Sequence, residues 1–523
     1  MKFGIVSDIL GQRDDIPTIK LPEAYASGES EWMFYHQGAM RRLPGRRPEF
    51  LDGDGAPIPM PDSNPVLRWH YHLSASGAEF IHAFTKAHVY QWDGGDKEWD
   101  VLFTCGSDCT RWSTADFGPY IVATNNSDKV ISWLDTTPAT DYAVVGDETD
   151  GIDCCDGVYV TKAEHVLECE GYLFLMATTE TGTSRHNRRR WCSWGDLSDW
   201  DSSSSKTGDA GWNDLTPGRK ITGCGVSTAG GMRLVTFARD LIDVMWLTES
   251  DLVWESETLA DRIGSVAPDS IVTDADGNLY YLAADNTIRV LGGGALSMDL
   301  DRTIRNLHPS LLRYTQAAYV AALGQLWWAV PSGPSSTGND LALIFNVAAG
   351  TWHTAPMDIR AFGGWTGQTS YTIDGIPFPS IDGIEWPYID WAGQVSQYPF
   401  LIASDYTGLA YRCVDAETDK GQAYSGRLVL GTDLAQRRAL SEFKRVHGMW
   451  LWLEGEDGSV AVSIRPDGAS GYEVVGSVAI PADGQAVWLP ADARFRHCEI
   501  KFEASVPFGF VGVIFEYDWD GDA

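Results

Sequence analysis

The stretch 217–293 runs one short pattern twice, ITGCGVSTAGGMRLVTFARDLIDVMWL and then SIVTDADGNLYYLAADNTIRVLGG. Each copy opens with an apolar strand (Ile221 to Val226; Ser270 to Thr273) and a turn rich in Gly or Asp. A second apolar strand follows (Met232 to Phe237; Leu279 to Leu282), then a polar turn (Ala238–Asp240; Ala284–Asn286) and a third strand (Leu241 to Trp246; Thr287 to Leu291). Short strands at regular spacing joined by tight turns predict one antiparallel blade. A lone blade cannot bury both of its faces, so a recurring unit of about 40 residues predicts a β-propeller.

Other windows repeat the form. Residues 66–105 hold VLRWHYHLSA, AEFIHAFTK, HVYQWDG and WDVLFTC, with Trp69 and Tyr71 alternating with His70 and His72, one face aromatic and the other polar. Residues 109–150 and 157–200 give a second and a third blade, and the opening pair a fourth and a fifth. Residues 314–356 give a sixth, and 360–415 continue the pattern, with Asp405 to Gly408 as a turn and an insertion rich in Ile-Asp-Gly, Pro and Trp at 371–396. The helical candidates are short, Ser250–Ala260 and Asp299–Arg313. Residues 1–65, dense in Pro, Gly and Asp, are expected to be an irregular arm or loop. After a polar hinge at Glu417–Ser425, the longer alternating runs of 421–523 predict a separate β-sandwich-like platform domain. The expectation is therefore an all-β chain: a propeller of about six blades over 66–420, with an insertion near 371–396, and a C-terminal sandwich.

Asp+Glu 72 against Lys+Arg 39 gives a net charge of −33. A protein that grips nucleic acid by neutralising phosphates needs the opposite balance, and so does one that binds an anionic membrane. MKFGIVSDILGQRDD has no apolar run long enough for a signal peptide, and no stretch of the sequence approaches a transmembrane helix. Nine cysteines, an odd number without framework spacing, predict free thiols in a reducing cytoplasm.

A GxSxG nucleophile elbow, a Walker loop and HExxH are absent from the sequence. Gly223-Cys-Gly-Val-Ser227 does not make a nucleophile elbow. Cys105/Cys109 and Cys154-Cys155 lack the second pair or nearby His of a zinc site. Asp274-Ala-Asp276-Gly-Asn278 lacks the distal Glu of a calcium loop and predicts a hairpin turn, as do the Asp-Gly runs at Asp52–Asp54 and Asp518–Asp522. The loop TGTSRHNRRR puts four arginines near His186, either a solvated turn or a site for phosphate or carboxylate. Ser193-Trp-Gly-Asp-Leu-Ser-Asp-Trp200 is faintly like a sialidase Asp-box, with Asp and Gly in the wrong order. No catalytic, cofactor-binding or metal-binding residue is therefore assigned, and no cofactor is expected.

Residues 190–293 carry RRRWCSWGDLSDW, the Gly-rich KITGCGVSTAGGMRLVTFARDLIDVMW and GSVAPDSIVTDADGNLYYLAADNTIRVL, with DRTIRNL following. In this pattern they resemble the nozzle proteins of short-tailed bacteriophages, also called tail tubular protein B or packaged-DNA stabilisation protein. RHCEIKFEASVPFGFVGVIFEYDWDG resembles the C-terminal platform strands of that group, and EWMFYHQGAMRRLPGRRPEF its N-terminal lead-in. The resemblance implies a structural virion protein and no enzyme. It implies a six-fold homo-oligomeric ring at the distal tail, stacked on an adaptor or head–tail connector and meeting fibre, spike or needle proteins. Genome DNA would pass through the lumen without specific binding, and the ring would be assembled in the host cytoplasm. An acidic wall fits that passage, since a basic one would hold phosphates. The alternatives are a sialidase-like propeller glycosidase, which needs an arginine triad and two catalytic carboxylates or a Tyr–carboxylate pair, and a fibre or receptor-binding attachment protein.

Overall fold

The structure, a computed structural model, describes residues 2–7, 9, 11–17, 25–36, 39–135, 141–203, 208–248, 253–366, 399–432, 442–455, 457–467, 469–482 and 484–520. Nine sheets form among them. Seven are small antiparallel sheets that follow one another along the chain, over residues 68–104, 113–144, 152–214, 221–261, 272–290, 316–355 and 361–416. One strand from each meets its counterpart in the next: Arg68–Leu73, Ser113–Phe117, Tyr159–Cys169, Ile221–Ser227, Val272–Thr273, Gln316–Val320 and Ala361–Trp365. The seventh of these strands packs back on the first, so the sheets close into a ring around an axis. The chain is a β-propeller, and it has seven blades where the sequence pattern predicts about six.

The physical reason for the miscount lies in blade seven. Its own residues supply only three strands, Ala361–Trp365, Phe400–Ser404 and Ala410–Ala416. The fourth, Gly45–Pro48, comes from the arm and pairs antiparallel with Ala410–Ala416. The predicted insertion at 371–396 lies outside the described residues.

Blades are buried on both faces, which explains near-continuous apolar strands such as Tyr172–Glu180 (YLFLMATTE) and Gln325–Val330 (QLWWAV). Outer strands are wetter. Trp254–Asp261 (WESETLAD) buries Trp254 and leaves most of the rest exposed; this is the segment whose spacing predicts a helix at Ser250–Ala260. Within the other helical candidate, Asp301–Asn306 is an α-helix, flanked by 3-10 turns.

Two hairpin turns are built alike. Asp274 Oδ1 accepts the N–H groups of Asp276 (2.9 Å) and Asn278 (2.9 Å), and its Oδ2 accepts the Tyr280 hydroxyl (3.0 Å). Asp405 Oδ1 accepts from Thr407 (2.8 Å) and Leu409 (3.4 Å), and its Oδ2 from Tyr411 (3.1 Å). Gly277 (φ 81°) and Gly408 (φ 84°) take the left-handed position that each turn requires. The Asp274 run is thus a self-satisfied Asx-type turn.

The two remaining sheets, each six-stranded, pack face to face as a sandwich. The residues expected to be an irregular arm supply strands to both. Lys2–Ser7 pairs along Phe508–Asp520, and the hairpin Met33–His36/Ala39–Arg42 adds to the same sheet through Arg41 and Met40. Gly11–Arg13 and Tyr25–Ser27 join the other sheet through Ala26 and Leu430. These strands are three to six residues long and join the sandwich sheets through partners hundreds of positions away, so local pattern does not reveal them.

The same arm fastens the sandwich to the propeller. Arg46 is 1% exposed and forks onto Asp419 (2.7 and 2.8 Å) and onto Asp358 (3.0 Å). Lys420 reaches Asp358 (2.6 Å) and Asp405 (2.7 Å). Glu417–Ser425, expected to hinge, is thereby tied to blade seven. Gln12 bonds Thr354 at the outer strand of blade six (3.1 Å), and Tyr35 donates its N–H to His353 Nε2 (3.2 Å).

Candidate functional site

The propeller axis gathers charge of the sign the whole chain lacks. Arg68, Arg111, Lys220, Arg313 and Arg360 stand on or beside strands that line it, among the carboxylates Asp269 and Glu164. Arg111 clasps Asp269 with Nε and Nη2 (both 3.0 Å), gives Nη1 to the Glu164 carbonyl (2.9 Å), and meets His165 Nδ1 at 3.2 Å. Burial raises the Asp269 pKa, but Arg111 outweighs it and the net shift is downward. Burial, then the Arg111 charge, pushes His165 well below its ordinary value, so it is neutral. Lys220 pairs with Glu164 (2.7 Å), and the Arg313 and Arg360 guanidiniums lie over the Tyr314 ring. A cavity of about 370 Å³ opens at this mouth, between Arg111, Glu164, His165, Lys220, Arg313 and Tyr314.

The arginine-rich segment is a strand and not the expected polar loop. Thr183–Trp191 is the strand after Tyr172–Glu180 in blade three. Its last arginines are buried and paired: Arg188 with Glu180 (2.8 Å) and Asp214 (2.8 Å), Arg189 with Asp243 of blade four (2.5 Å), Arg190 with Glu180 (3.1 Å). Arg189 points one way and Arg188 and Arg190 the other, as strand alternation requires. Arg189 thereby ties blade three to blade four, while Arg188 and Arg190 tie the strands of blade three to one another. The Asp-box-like run also closes on itself: Ser193 Oγ donates to Asp199 (2.6 Å), and the buried Trp200 donates to the Leu197 carbonyl (2.7 Å). It flanks a cavity of about 630 Å³ lined by Asp147, Asp150, Asp153 and Asp196, of which Asp147, Asp153 and Asp196 already accept backbone N–H groups of their own turns. The nine cysteines are free thiols in the structure.

A histidine–aspartate cluster lies between blades one and two. The alternation of Arg68–Leu73 turns Trp69 and Tyr71 toward blade seven and His70 and His72 toward blade two. The polar face is therefore an inter-blade seam: His70 is 9% and His72 3% exposed. His70 Nε2 lies 3.0 Å and His72 Nδ1 2.6 Å from one oxygen of Asp116, a half-exposed residue on the first strand of blade two. His70 Nδ1 meets Thr114 Oγ1 at 3.0 Å, and His72 Nε2 faces Asp135 at 3.7 Å. Burial lowers the His72 pKa, but Asp116, then Asp135, outweigh it and the net shift is upward. His82 behind them is wholly buried, which pushes its pKa well below the ordinary value. The sequence gives the His-x-His half of this cluster, but Asp116 comes from another blade and carries no local signal.

The outer face of the sandwich is apolar where solvent is expected. Register aligns Ile5, Ile514, Trp450 and Trp488 in one row across four strands, with Phe3 and Trp452 in flanking rows. Phe3 is 61%, Ile5 62% and Trp450 40% exposed. Trp488 lies over Gly448, where any side chain would collide with the indole. The opposite face of these strands carries Val6, Met449, Leu451, Val513 and Phe515 into the core.

The fold defines the class: a seven-bladed β-propeller fastened to a β-sandwich by its own N-terminal strands. No family model matches the chain, and no curated protein matches it. Among solved structures it is similar to "YCF48 bound to D1 peptide", at 12% identity and a TM-score of 0.35, over 70% of this chain and 99% of that one. A likeness of that size says nothing about what this chain does. No helix among the described residues is long and apolar enough to cross a membrane.

Proposed function

We propose that this chain is a structural subunit of a short-tailed phage virion, forming the tail nozzle ring through which the genome is retained and then released. The observation that carries the reading is the apolar outer face of the sandwich. A chain with net charge −33 keeps Phe3, Ile5 and Trp450 together in solvent. Apolar patches of this kind mark contact surfaces, and a ring needs a head-to-tail contact that closes. The resemblance of residues 190–293 and of the last strands to nozzle proteins supports the same reading, as does an acidic balance that repels DNA. In it the partners are further copies of the chain, a tail adaptor and fibre or spike proteins, and the chain is not a catalyst.

Imaging of the purified oligomer tests this. The expected result is a six-fold ring with an axial channel that falls to monomers in Ile5→Ser/Trp450→Ser. A wild-type chain that stays monomeric at high concentration overturns it.

The convergence of Arg111, Arg313, Glu164 and Tyr314 at the axial mouth favours a second reading, a propeller hydrolase of acidic glycan. Against it, the three nitrogens of Arg111 are already engaged by Asp269, the Glu164 carbonyl and His165, and Glu164 by Lys220. Hydrolysis of a sialylated or uronic-acid substrate by wild type and not by Glu164→Gln would establish this second reading.

A further inference from the structure

We propose that His70, His72 and Asp116 form a binding site for one divalent first-row transition ion of the zinc type, clamped between blades one and two. The three ligand atoms, His70 Nε2, His72 Nδ1 and an Asp116 carboxylate oxygen, lie within 4.8 Å of one another. Two ligands that each stand about 2.1 Å from one ion are about 3 to 3.4 Å apart. The observed 3.0 Å and 2.6 Å separations from Asp116 are close to that spacing, and the two imidazole nitrogens, within 4.8 Å of each other, would draw together around an ion.

The surroundings point to a ligand more firmly than the three residues do. A metal-binding imidazole presents one nitrogen to the ion and donates the other N–H to an oxygen, which fixes its tautomer and ring plane. His70 has such a partner on the far side, Thr114 Oγ1 at 3.0 Å, and the far nitrogen of His72 is buried and faces the Asp135 carboxylate at 3.7 Å, a small approach short of a hydrogen bond. The rings are buried and anchored on one strand, whereas Asp116 is half-exposed on the next blade. The ion would therefore enter from the Asp116 side and keep its remaining coordination positions there for water or an incoming oxygen ligand. Two imidazoles and one carboxylate suit zinc, iron, nickel or cobalt better than calcium or magnesium, which prefer all-oxygen sites.

The competing account is a shared proton: Asp116 accepts from His70 and His72, and the cluster is an ion pair that ties two blades. The two accounts separate on titration of the full chain with Co²⁺ alone, followed by visible d–d absorption and by metal content after desalting. The proposal expects one equivalent bound, with no thiolate-to-metal charge-transfer band, so that capture by the free cysteines is distinguished. Binding should weaken as pH falls, because protons compete for the imidazoles. Asp116→Ala and His72→Gln should abolish uptake. Asp135→Asn and Thr114→Val should retain the stoichiometry but lose about tenfold to a hundredfold in affinity. Asp116 is half-exposed, so its variant tests the proposal even where a buried histidine variant fails to fold. No stoichiometric uptake by wild type, a thiolate band, or undiminished uptake by Asp116→Ala would overturn the proposal in favour of the shared proton.

Discussion

Blade one turns two unlike faces to its neighbours. Toward blade seven, Trp69 and Tyr71 enter an aromatic seam with Phe50, Trp99 and Trp365, and Trp69 sits against Gly363, whose missing side chain makes the room. Toward blade two, the same strand offers His70 and His72 to Asp116. The first seam is the one where the ring closes on itself, and there the protein uses non-directional apolar packing reinforced by a strand from the arm. The second joins blades that are adjacent in sequence and adds these directional contacts to an apolar cluster that includes Phe84, Val89 and Leu102 of blade one and Ile121, Ile131 and Trp133 of blade two. Ring closure over the longer chain separation costs more loop entropy, about 0.6 kcal/mol for each doubling of length, while neighbouring blades meet at less such cost and can spare part of a seam for polar groups.

Substitutions that empty one seam or loosen the other separate these roles. Trp69→Ala should cost about 3–5 kcal/mol, because it leaves a cavity in the closing seam that its neighbours fill poorly; urea unfolding followed by tryptophan fluorescence reads this. Arg46→Ala should cost a comparable ~3 kcal/mol or more, because it strands Asp419 in a partly buried site. It should also free the arm to proteolysis between blade seven and the sandwich, which limited trypsin digestion would detect. A loss below ~1 kcal/mol in either variant would mean that closure does not depend on that seam.

Acid should act on the buried histidines, one of which, His82, lies behind the polar seam. His82, His165 and His353 are buried with folded pKa values below the ordinary histidine value, about 3 for His353, all with burial as the leading cause. The unfolded chain binds protons there that the folded chain does not, so stability falls as pH drops below about 6.5, by roughly 1.4 kcal/mol per pH unit for each such group. In metal-free protein, His72 runs the other way. Its raised value contributes stability that is present below about 6.5 and lost as pH rises through the folded pKa. A thermal melt series from pH 8 to 5 should therefore fall less steeply in His82→Gln than in wild type, and more steeply in His72→Gln. In metal-free protein, Asp116→Asn should cost less than about 1 kcal/mol, the scale for a half-exposed ion pair. A larger loss would mean the polar seam carries more of the ring than its geometry suggests.

The sequence shows the blades where strands are consecutive and turns carry Gly and Asp, as at Asp274–Gly277 and Asp405–Gly408. It also shows the two-faced alternation of Trp69–His72. What it hides is set by distance along the chain. Gly45-Arg-Arg-Pro48 looks like a turn because Pro and Gly are tolerated on an edge strand, yet it completes blade seven. Arg188–Arg190 look like a solvated loop because their carboxylate partners, Glu180, Asp214 and Asp243, sit on three different strands. Asp116 shows no link to His70 and His72 until two blades are placed side by side. The apolar row on the sandwich is invisible for the same reason, since four strands contribute one residue each.

That row has a consequence for timing. Ile5 and Ile514 become neighbours only after residues 2–7 have been joined by residues 508–520. While the chain is still leaving the ribosome, the surface that would bring copies together does not yet exist. Lys2–Ser7 and Gly45–Pro48 meanwhile wait for partners synthesised far later. In the proposed ring, association would thereby be withheld from incomplete chains, and a subunit would become sticky only once it had folded.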